Sequence, residues 1–139
     1  MDRNGGLSGR IRSWLGGWLN TARGHNKAVG RRGEKIAERY LKRRGYRIVA
    51  RNFRAAGAEI DLVAMDGATV VFIEVKTRRN ANAGSPAESV TEHKQRQIRR
   101  AAEVFAARYR ANERAMRFDV IAIAGAGRQR RIELLKDAF

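Results

Sequence analysis

The amino-acid sequence predicts a mixed α/β domain in which one β-sheet is flanked by helices. Two segments carry apolar residues at helical spacing, and five shorter segments have the composition of strands. These segments follow one another in the order αβββαββ, which fits a single mixed sheet. The chain has 139 residues, which is enough for one domain to bury a core without disulfides.

The first helix is predicted from Asn26 to just before Gly45. Its apolar residues recur three or four positions apart, and lysine and arginine occupy the remaining faces. Gly45 stands where a glycine commonly ends a helix in the left-handed conformation. This helix is therefore expected to present one side to the core and a strongly basic side to solvent.

Residues 1–26 differ from the predicted domain, residues 27–139, because they are rich in glycine and contain Trp14 and Trp18. Their apolar residues fit a short amphipathic helix, although Gly16-Gly17 weakens it by about 1 kcal/mol per glycine relative to alanine. Two interpretations stay open. The segment is either a loosely packed or disordered tail, or it docks on a partner or a membrane surface.

Three strands are predicted next, at Tyr46–Arg54, Glu59–Met65 and Thr69–Thr77. Asp66-Gly67, between the second and third strands, is a typical hairpin sequence. The third strand is the most apolar strand of the chain. The second and third strands are therefore expected to pair as an antiparallel hairpin.

The second half of the chain predicts one more helix and two more strands. Ser85-Pro86 is typical of a helix start, and helical spacing continues to about Ala111, with a break near Thr91. Strands are predicted at Met116–Ala124 and Arg131–Leu135.

The charge balance points to a polyanionic partner. Thirty lysine and arginine residues against fourteen aspartate and glutamate residues give a net charge of +16. Such a chain attracts nucleic acid first and anionic membranes second. The absence of cysteine excludes disulfides, thiolate zinc sites and cysteine nucleophiles. No run of about 18 apolar residues and no secretory h-region is present, so we expect a cytoplasmic protein without a membrane span.

Four charged residues lie on the predicted second and third strands. Side chains alternate along a strand, so Glu59 and Asp61 share one face, as do Glu74 and Lys76. A hairpin with a two- or four-residue loop pairs residues whose numbers sum to an odd value, 133 or 135. Odd positions of one strand then face even positions of the other. All four residues are therefore expected on one side of the sheet.

Such a group of carboxylates repels itself unless a cation joins it. Oxygen-only clusters of this kind suit Mg²⁺ or Mn²⁺, which can polarise a phosphate and activate a water. Lys76 would orient that water or offset charge that develops on the phosphate. The alternative for Glu74-Val75-Lys76 is an exposed, self-neutralising strand face. The apolar strand around it argues against that alternative.

A set of short motifs runs from about Gly30 to the end of the chain and leaves residues 1–26 outside. The stretches are Gly30-Arg31-Arg32-Gly33-Glu34, Gly45-Tyr46, Arg51-Asn52-Phe53-Arg54, Glu59–Ala64, Val71–Arg78, Arg117-Phe118-Asp119-Val120 and Asp137-Ala138-Phe139. Together these motifs resemble those of the YraN-like family, within the PD-(D/E)xK nuclease superfamily of restriction enzymes and Holliday-junction resolvases. The resemblance implies a restriction-endonuclease-like fold.

The resemblance also assigns roles to single positions. Glu34 resembles the superfamily's helical acid near the metal. Asp61 and Glu74 resemble its two main metal ligands, with the Val75 carbonyl as a third. Lys76 resembles the catalytic lysine.

The remaining candidates are more peripheral. Glu59 matches the acid of the family's Gly-Glu-Ile-Asp run, although Ala58 stands in place of the glycine. The candidate contacts to nucleic-acid phosphates are the basic residues Lys94, Arg78, Arg31 and Arg32.

The sequence therefore predicts a nuclease, dependent on Mg²⁺ or Mn²⁺, that hydrolyses DNA phosphodiesters, with a preference for branched or damaged DNA resting on the superfamily alone. The first alternative is a nucleic-acid-binding protein that keeps the nuclease fold without turnover. A further alternative is a protein that docks on a partner through residues 1–26. The resemblance is also compatible with a homodimer.

Overall fold

A computed structural model describes residues 23–78 and 91–139, with side chains described from Gly30 to Thr77 and from Thr91 onwards. The helices are α1 (Arg23–Arg43) and α2 (Glu92–Arg108). The strands are β1 (Arg47–Ala55), β2 (Ala58–Asp66), β3 (Thr69–Arg78), β4 (Met116–Ala124) and β5 (Arg131–Leu135), with a short 3-10 turn before β5.

The five strands form one sheet in the order β1-β2-β3-β4-β5. All neighbours are antiparallel except β3 and β4, which are parallel. A parallel pair requires a crossover, and α2 lies between these two strands in the chain. The expected mixed α/β sheet with flanking helices is confirmed.

The two helices cover opposite faces of the sheet. In β3, Val71 and Ile73 belong to an apolar cluster with Leu41 of α1. The alternate residue Phe72 belongs to a second cluster with Phe105 of α2. Because successive strand residues point to opposite faces, each helix packs on its own side. The middle of β3 is therefore buried on both faces of the sheet.

Helix α1 begins at Arg23, earlier than the predicted start at Asn26, so the predicted division after residue 26 falls within the helix. Its end agrees with the prediction. Gly45 has a φ of +89° and donates its N–H to the Lys42 carbonyl, while the Tyr46 N–H returns to Leu41. These bonds satisfy carbonyls that the end of a helix leaves open.

Helix α2 begins directly after Thr91, whose hydroxyl accepts a hydrogen bond from the Lys94 N–H at 3.3 Å. It ends at Arg108, before the predicted Ala111, because Arg110 adopts a left-handed conformation with φ +56°. Ser85-Pro86 and the first 22 residues lie outside the described part of the chain. Neither described helix is long and apolar enough to cross a membrane.

The close approach of α1 to β3 depends on Gly33. This glycine is buried, and a Cβ atom built on it would collide with the Thr77 side chain of β3. Gly30, one turn earlier, has open space around its Cα. The two glycines thus form a matched pair for testing this contact.

We expect Gly33→Ala to lower the free energy of unfolding by about 1–3 kcal/mol, because the added methyl overpacks the α1–β3 contact. Gly30→Ala should raise it by up to about 1 kcal/mol, because alanine is the better helix former. Urea denaturation of both variants measures the difference. Equal effects of the two changes would mean that α1 does not approach β3 as described.

A second contact holds α1 to β1. Glu38 accepts hydrogen bonds from Arg51 at 2.8 and 2.5 Å and pairs with Lys42 at 2.9 Å. The Arg51 hydrogen bond is the main reason that the pKa of Glu38 falls from 4.5 to about 2. Burial opposes this shift, and Lys42 adds to it.

This contact predicts a pH dependence. A lowered folded-state pKa stabilises the protein above the unfolded pKa of 4.5, and that gain is lost as pH falls towards 2. Glu38→Gln should therefore cost about 1 kcal/mol at pH 7, a value discounted because Arg51 and Lys42 are half exposed. Thermal melts from pH 7 to pH 2 should show the cost shrinking below pH 4.5. Glu103→Gln, an exposed position on α2, serves as the control and should show no such trend.

Candidate active site

The candidate site lies where the pairing of β2 with β3 ends. The main-chain register runs from Asp66↔Thr69 to Leu62↔Ile73, so residue numbers sum to 135, as a two-residue hairpin requires. Beyond Ile73, the Val75 N–H donates to Asp61 Oδ2 at 2.8 Å. The Asp61 side chain therefore replaces a main-chain acceptor at the mouth of the hairpin.

Three charged side chains are buried at this point. Asp61 is 2% exposed, Glu74 is 1% exposed and Lys76 is 0% exposed. The alternative of an exposed, self-neutralising strand face for Glu74 and Lys76 is therefore wrong. Ionised groups buried to this degree are costly unless other groups or ligands compensate them.

Glu74 is the least compensated of the three. Neither of its carboxylate oxygens receives a hydrogen bond from any residue that the structure describes. Burial raises its pKa well above 4.5, and the negative charge of Asp61, a hydrogen bond from the protonated form to Asp61 and the negative charge of Glu34 raise it further. The positive charge of Lys76 opposes them without reversing the shift. The ionised form of Glu74 is therefore disfavoured, and a cation bound beside it would favour that form.

Both helices bring charge to Glu74. Glu34 reaches it from α1, as its effect on the Glu74 pKa shows. Lys94 lies in the first turn of α2, where burial lowers its pKa and the negative charge of Glu74 counteracts that shift. Charges from α1, β2, β3 and α2 therefore meet around one carboxylate.

The prediction that Glu59 joins this group is wrong. Ile60 and Val63, three positions apart, both pack in the α2 cluster, so β2 does not alternate regularly between them. Glu59 instead pairs with Arg54 of β1 at 2.6 Å.

The irregular alternation of side chains occurs in both β1 and β2. In β1, Ala50 and Phe53 are likewise three positions apart and both pack in the α2 cluster. Between them, Asn52 has a left-handed φ of +55°. The two paired strands therefore change faces together, next to Asp61.

The comparisons with known proteins bear on this site. A model of the uncharacterised protein family UPF0102 matches residues 33–123, which is more than half of the chain. The chain belongs to this family. The matched range contains Glu34, Asp61, Glu74, Lys76 and Lys94 and leaves out Arg31 and Arg32.

Several proteins that carry this family name align with the chain over most of their own length. A protein from Geobacter metallireducens is 49% identical over 83% of this chain and 94% of its own. A protein from Geobacter sulfurreducens is 51% identical over 83% and 91%, and one from Rhodococcus jostii is 48% identical over 83% and 98%. The resemblance to the YraN-like family is thereby confirmed.

The carboxylate oxygens of Asp61 and Glu74 are the kind of donor atoms that a divalent cation prefers, although, in the part of the chain that the structure describes, too few acidic side chains lie together to complete a metal site. Within the described residues, no three His, Cys, Asp or Glu side chains lie close enough to hold a metal ion. The fit rests on the uncompensated oxygens of Glu74 beside Asp61. The Val75 carbonyl is also available on that side, because the N–H and C=O of a strand residue point to the same neighbouring strand.

The predicted phosphate contacts fall in different places. Arg31 and Arg32 are exposed on α1, and Arg31 shares the lining of a pocket with Glu34. Lys94 is half-buried beside Glu74. The backbone of Arg78 ends β3, and its side chain lies outside the described part.

Sequence reasoning missed Asn52 as a functional candidate. This residue is 7% exposed, and its Oδ1 has no hydrogen-bond donor among the described residues. Asparagine is disfavoured in strands, so its position inside β1 was the available signal.

Because burial destabilises the ionised form of Glu74, we expect Glu74→Gln to make the metal-free protein more stable by about 1 kcal/mol or more at pH 7. Chemical denaturation in EDTA measures this gain. Glu59→Gln is the matched control, and it should lose at most about 1 kcal/mol with its Arg54 pair. A destabilised Glu74→Gln variant would contradict the uncompensated state of this carboxylate.

Proposed function

We propose that this protein is a divalent-metal-dependent nuclease of the PD-(D/E)xK superfamily, with a restriction-endonuclease-like fold, that hydrolyses DNA phosphodiesters. The observation that carries the proposal is Glu74. It is a buried carboxyl whose oxygens receive no hydrogen bond from the residues that the structure describes, beside Asp61 and Lys76, in a chain of net charge +16. A charge left uncompensated at a site of this kind is typical of function rather than stability.

Asp61 and Glu74 would hold Mg²⁺ or Mn²⁺, with the Val75 carbonyl as a third oxygen and Glu34 adding negative charge from α1. When bound, the cation supplies a Lewis acid that polarises the phosphate and lowers the pKa of a bound water. The Val75 N–H holds the Asp61 carboxylate in place through its 2.8 Å hydrogen bond. Asp61 is thus fixed in position before any ligand arrives.

Lys76 is the residue that would stabilise negative charge during phosphodiester cleavage. In hydrolysis, a water oxygen forms a bond to phosphorus and gives up a proton, while the bond to the leaving oxygen breaks and that oxygen takes up a proton. Negative charge grows on the phosphate as these bonds change. Lys76 carries its ammonium group in a fully buried position, where a fixed positive charge acts strongly on such developing charge. Lys94, on the facing helix, adds a second positive charge near the same carboxylates.

The alternative is a nucleic-acid-binding protein that keeps the fold without turnover. The basic surface supports both hypotheses equally, because it attracts any polyanion. The buried acids separate them. Carboxylates repel phosphates, and a protein that only bound DNA would gain affinity and stability without Glu74.

We expect cleavage of DNA with Mg²⁺ or Mn²⁺, tested on linear, nicked, flapped and four-way substrates. Asp61→Asn and Lys76→Ala should lower the rate by at least about 100-fold, because each removes a group that acts on the transition state. Glu59→Gln should cleave at the wild-type rate, because Glu59 is bound to Arg54 outside the cluster. Equal activity in all variants would identify a contaminating nuclease.

Binding and metal measurements complete this test. DNA binding by all variants should weaken by about 10³ between 50 and 200 mM salt if about six phosphates are contacted. Mn²⁺ alone should raise the melting temperature of the wild type and of Glu59→Gln but not of Glu74→Gln. Salt-sensitive binding by the wild type without cleavage or metal stabilisation would favour the binding protein instead.

A further inference from the structure

A pocket of about 430 Å³ opens between α1 and the first two strands, on the face opposite α2. Its size is within the range of pockets that take small molecules and cofactors. Leu62 of β2 contributes an apolar surface, and Asn52 of β1 contributes an amide. The α1 side of the pocket consists of charged residues. The lining thus combines an apolar surface, a buried polar group and a charged rim.

The amide of Asn52 requires a partner. Asn52 is 7% exposed, and within the described part of the chain its Oδ1 receives no hydrogen bond. A buried acceptor without a donor costs about 1–3 kcal/mol. Because Asn52 lines the pocket and its oxygen is itself buried, a ligand that brings an N–H or O–H donor would satisfy this oxygen after a rotation of the amide.

The rim of the pocket carries an excess of positive charge. Of the charged lining residues, Glu38 is paired with Arg51 and Lys42. The α1 residues that carry further positive charge are Arg31, Lys35 and Arg39. The only other acid of the lining among the described residues is Glu34. A ligand that fits this rim is an anion.

The pocket adjoins the candidate active site. Glu34 lines the pocket and is also close enough to Glu74 for its charge to act on that carboxylate. Leu62, in the pocket wall, directly follows Asp61 in β2. A molecule that fills the pocket therefore lies next to Glu34 and close to the end of the β2–β3 pairing, where Asp61 is found.

We propose that this pocket receives one unpaired nucleotide of a DNA strand, with its base against Leu62 and Asn52 and its phosphate against Arg31, Lys35 and Arg39. This inference rests on the proposed function and names its substrate class, DNA with a nucleotide outside the duplex. The neighbouring phosphodiester then reaches Asp61 and Glu74. Extrusion of a nucleotide from the stack is cheapest where DNA is already unpaired.

A nucleotide meets the requirements that simpler ligands do not. Inorganic phosphate, largely deprotonated near neutral pH, is mainly an acceptor, so it leaves Asn52 Oδ1 poorly satisfied. A base offers N–H groups at its edge, and the asparagine amide pairs with an adenine through two hydrogen bonds. The base also supplies a flat apolar face for Leu62, and its own phosphate supplies the anion. An acidic peptide shares the charge but not the flat face, and it enters the test as a competitor.

The test measures binding in EDTA, where no cleavage occurs, to flapped duplexes in which one abasic site is moved through the single-stranded flap. For the wild type, one flap position should lose about 10-fold in affinity when its base is removed. 2-Aminopurine at that position should change its fluorescence on binding. Free dAMP should compete only weakly, because it lacks the rest of the strand.

Asn52 variants decide whether the amide recognises the base. Asn52→Gly keeps the left-handed conformation and removes the amide, since glycine adopts positive φ without strain. It should bind the intact flap about 10-fold more weakly and no longer distinguish intact from abasic DNA. Ala56→Gly, at a turn residue with φ +51°, controls for the added backbone freedom and should behave as the wild type.

Two outcomes would overturn the proposal. Asn52→Gly with wild-type affinity and discrimination would mean that Asn52 serves the backbone alone. Competition by a poly-glutamate peptide as strong as that by the flap strand would assign the pocket to acidic peptides. This metal-free binding assay is independent of the cleavage test with Mg²⁺ or Mn²⁺. Base discrimination in EDTA together with no cleavage in the metal-containing test would refute the nuclease alone, and cleavage there without base discrimination in EDTA would refute the pocket alone.

Discussion

Asp61 accepts the Val75 N–H through its side chain at the point where β2 and β3 stop pairing along their main chains. On its other edge, β3 continues to pair with β4 as far as Arg78↔Ala124. The end of β3 is therefore held on one side by a strand and on the other by a carboxylate. Because of this geometry, Glu74 and Lys76 are buried and lie beside Asp61. The charges of Glu34 from α1 and Lys94 from α2 act on Glu74 because it is held at this position.

Burial in this core therefore has two opposite effects on stability. The sheet is buried by apolar clusters on both faces, which is the usual source of stability. The same burial raises the pKa of Glu74 and leaves its oxygens without described donors. Proteins keep such costs mainly where a ligand or reaction offsets them. The contrast with Asp119 is instructive, since this equally buried acid receives hydrogen bonds from Arg117 and the Asp137 main chain.

The two faces of the sheet contribute differently around β2. On the α2 side, Lys94 approaches Glu74 from the first turn of the helix. On the α1 side, Glu34 connects the acids to a pocket whose wall contains Asn52. The change of face in β1 and β2 separates Glu59 from the acids. It occurs at Asn52, which has a left-handed conformation and whose buried Oδ1 receives no hydrogen bond from the residues that the structure describes. The same irregularity in β1 and β2 thus sets Glu59 apart from the acids and places Asn52 in the wall of the adjoining pocket.

The sequence by itself determined the features that depend on short-range geometry. The Asp66-Gly67 hairpin, and with it the odd-sum register of β2 and β3, followed from turn chemistry and strand period. The helix end at Gly45 followed from capping preferences. The tertiary structure decided the rest. The exclusion of Glu59, the approach of Lys94 and the pocket at Asn52 all depend on contacts between distant segments. A repeating pattern in one strand carries no information about where its partner strand twists, so these features became visible only when β1, β2 and the two helices were packed together.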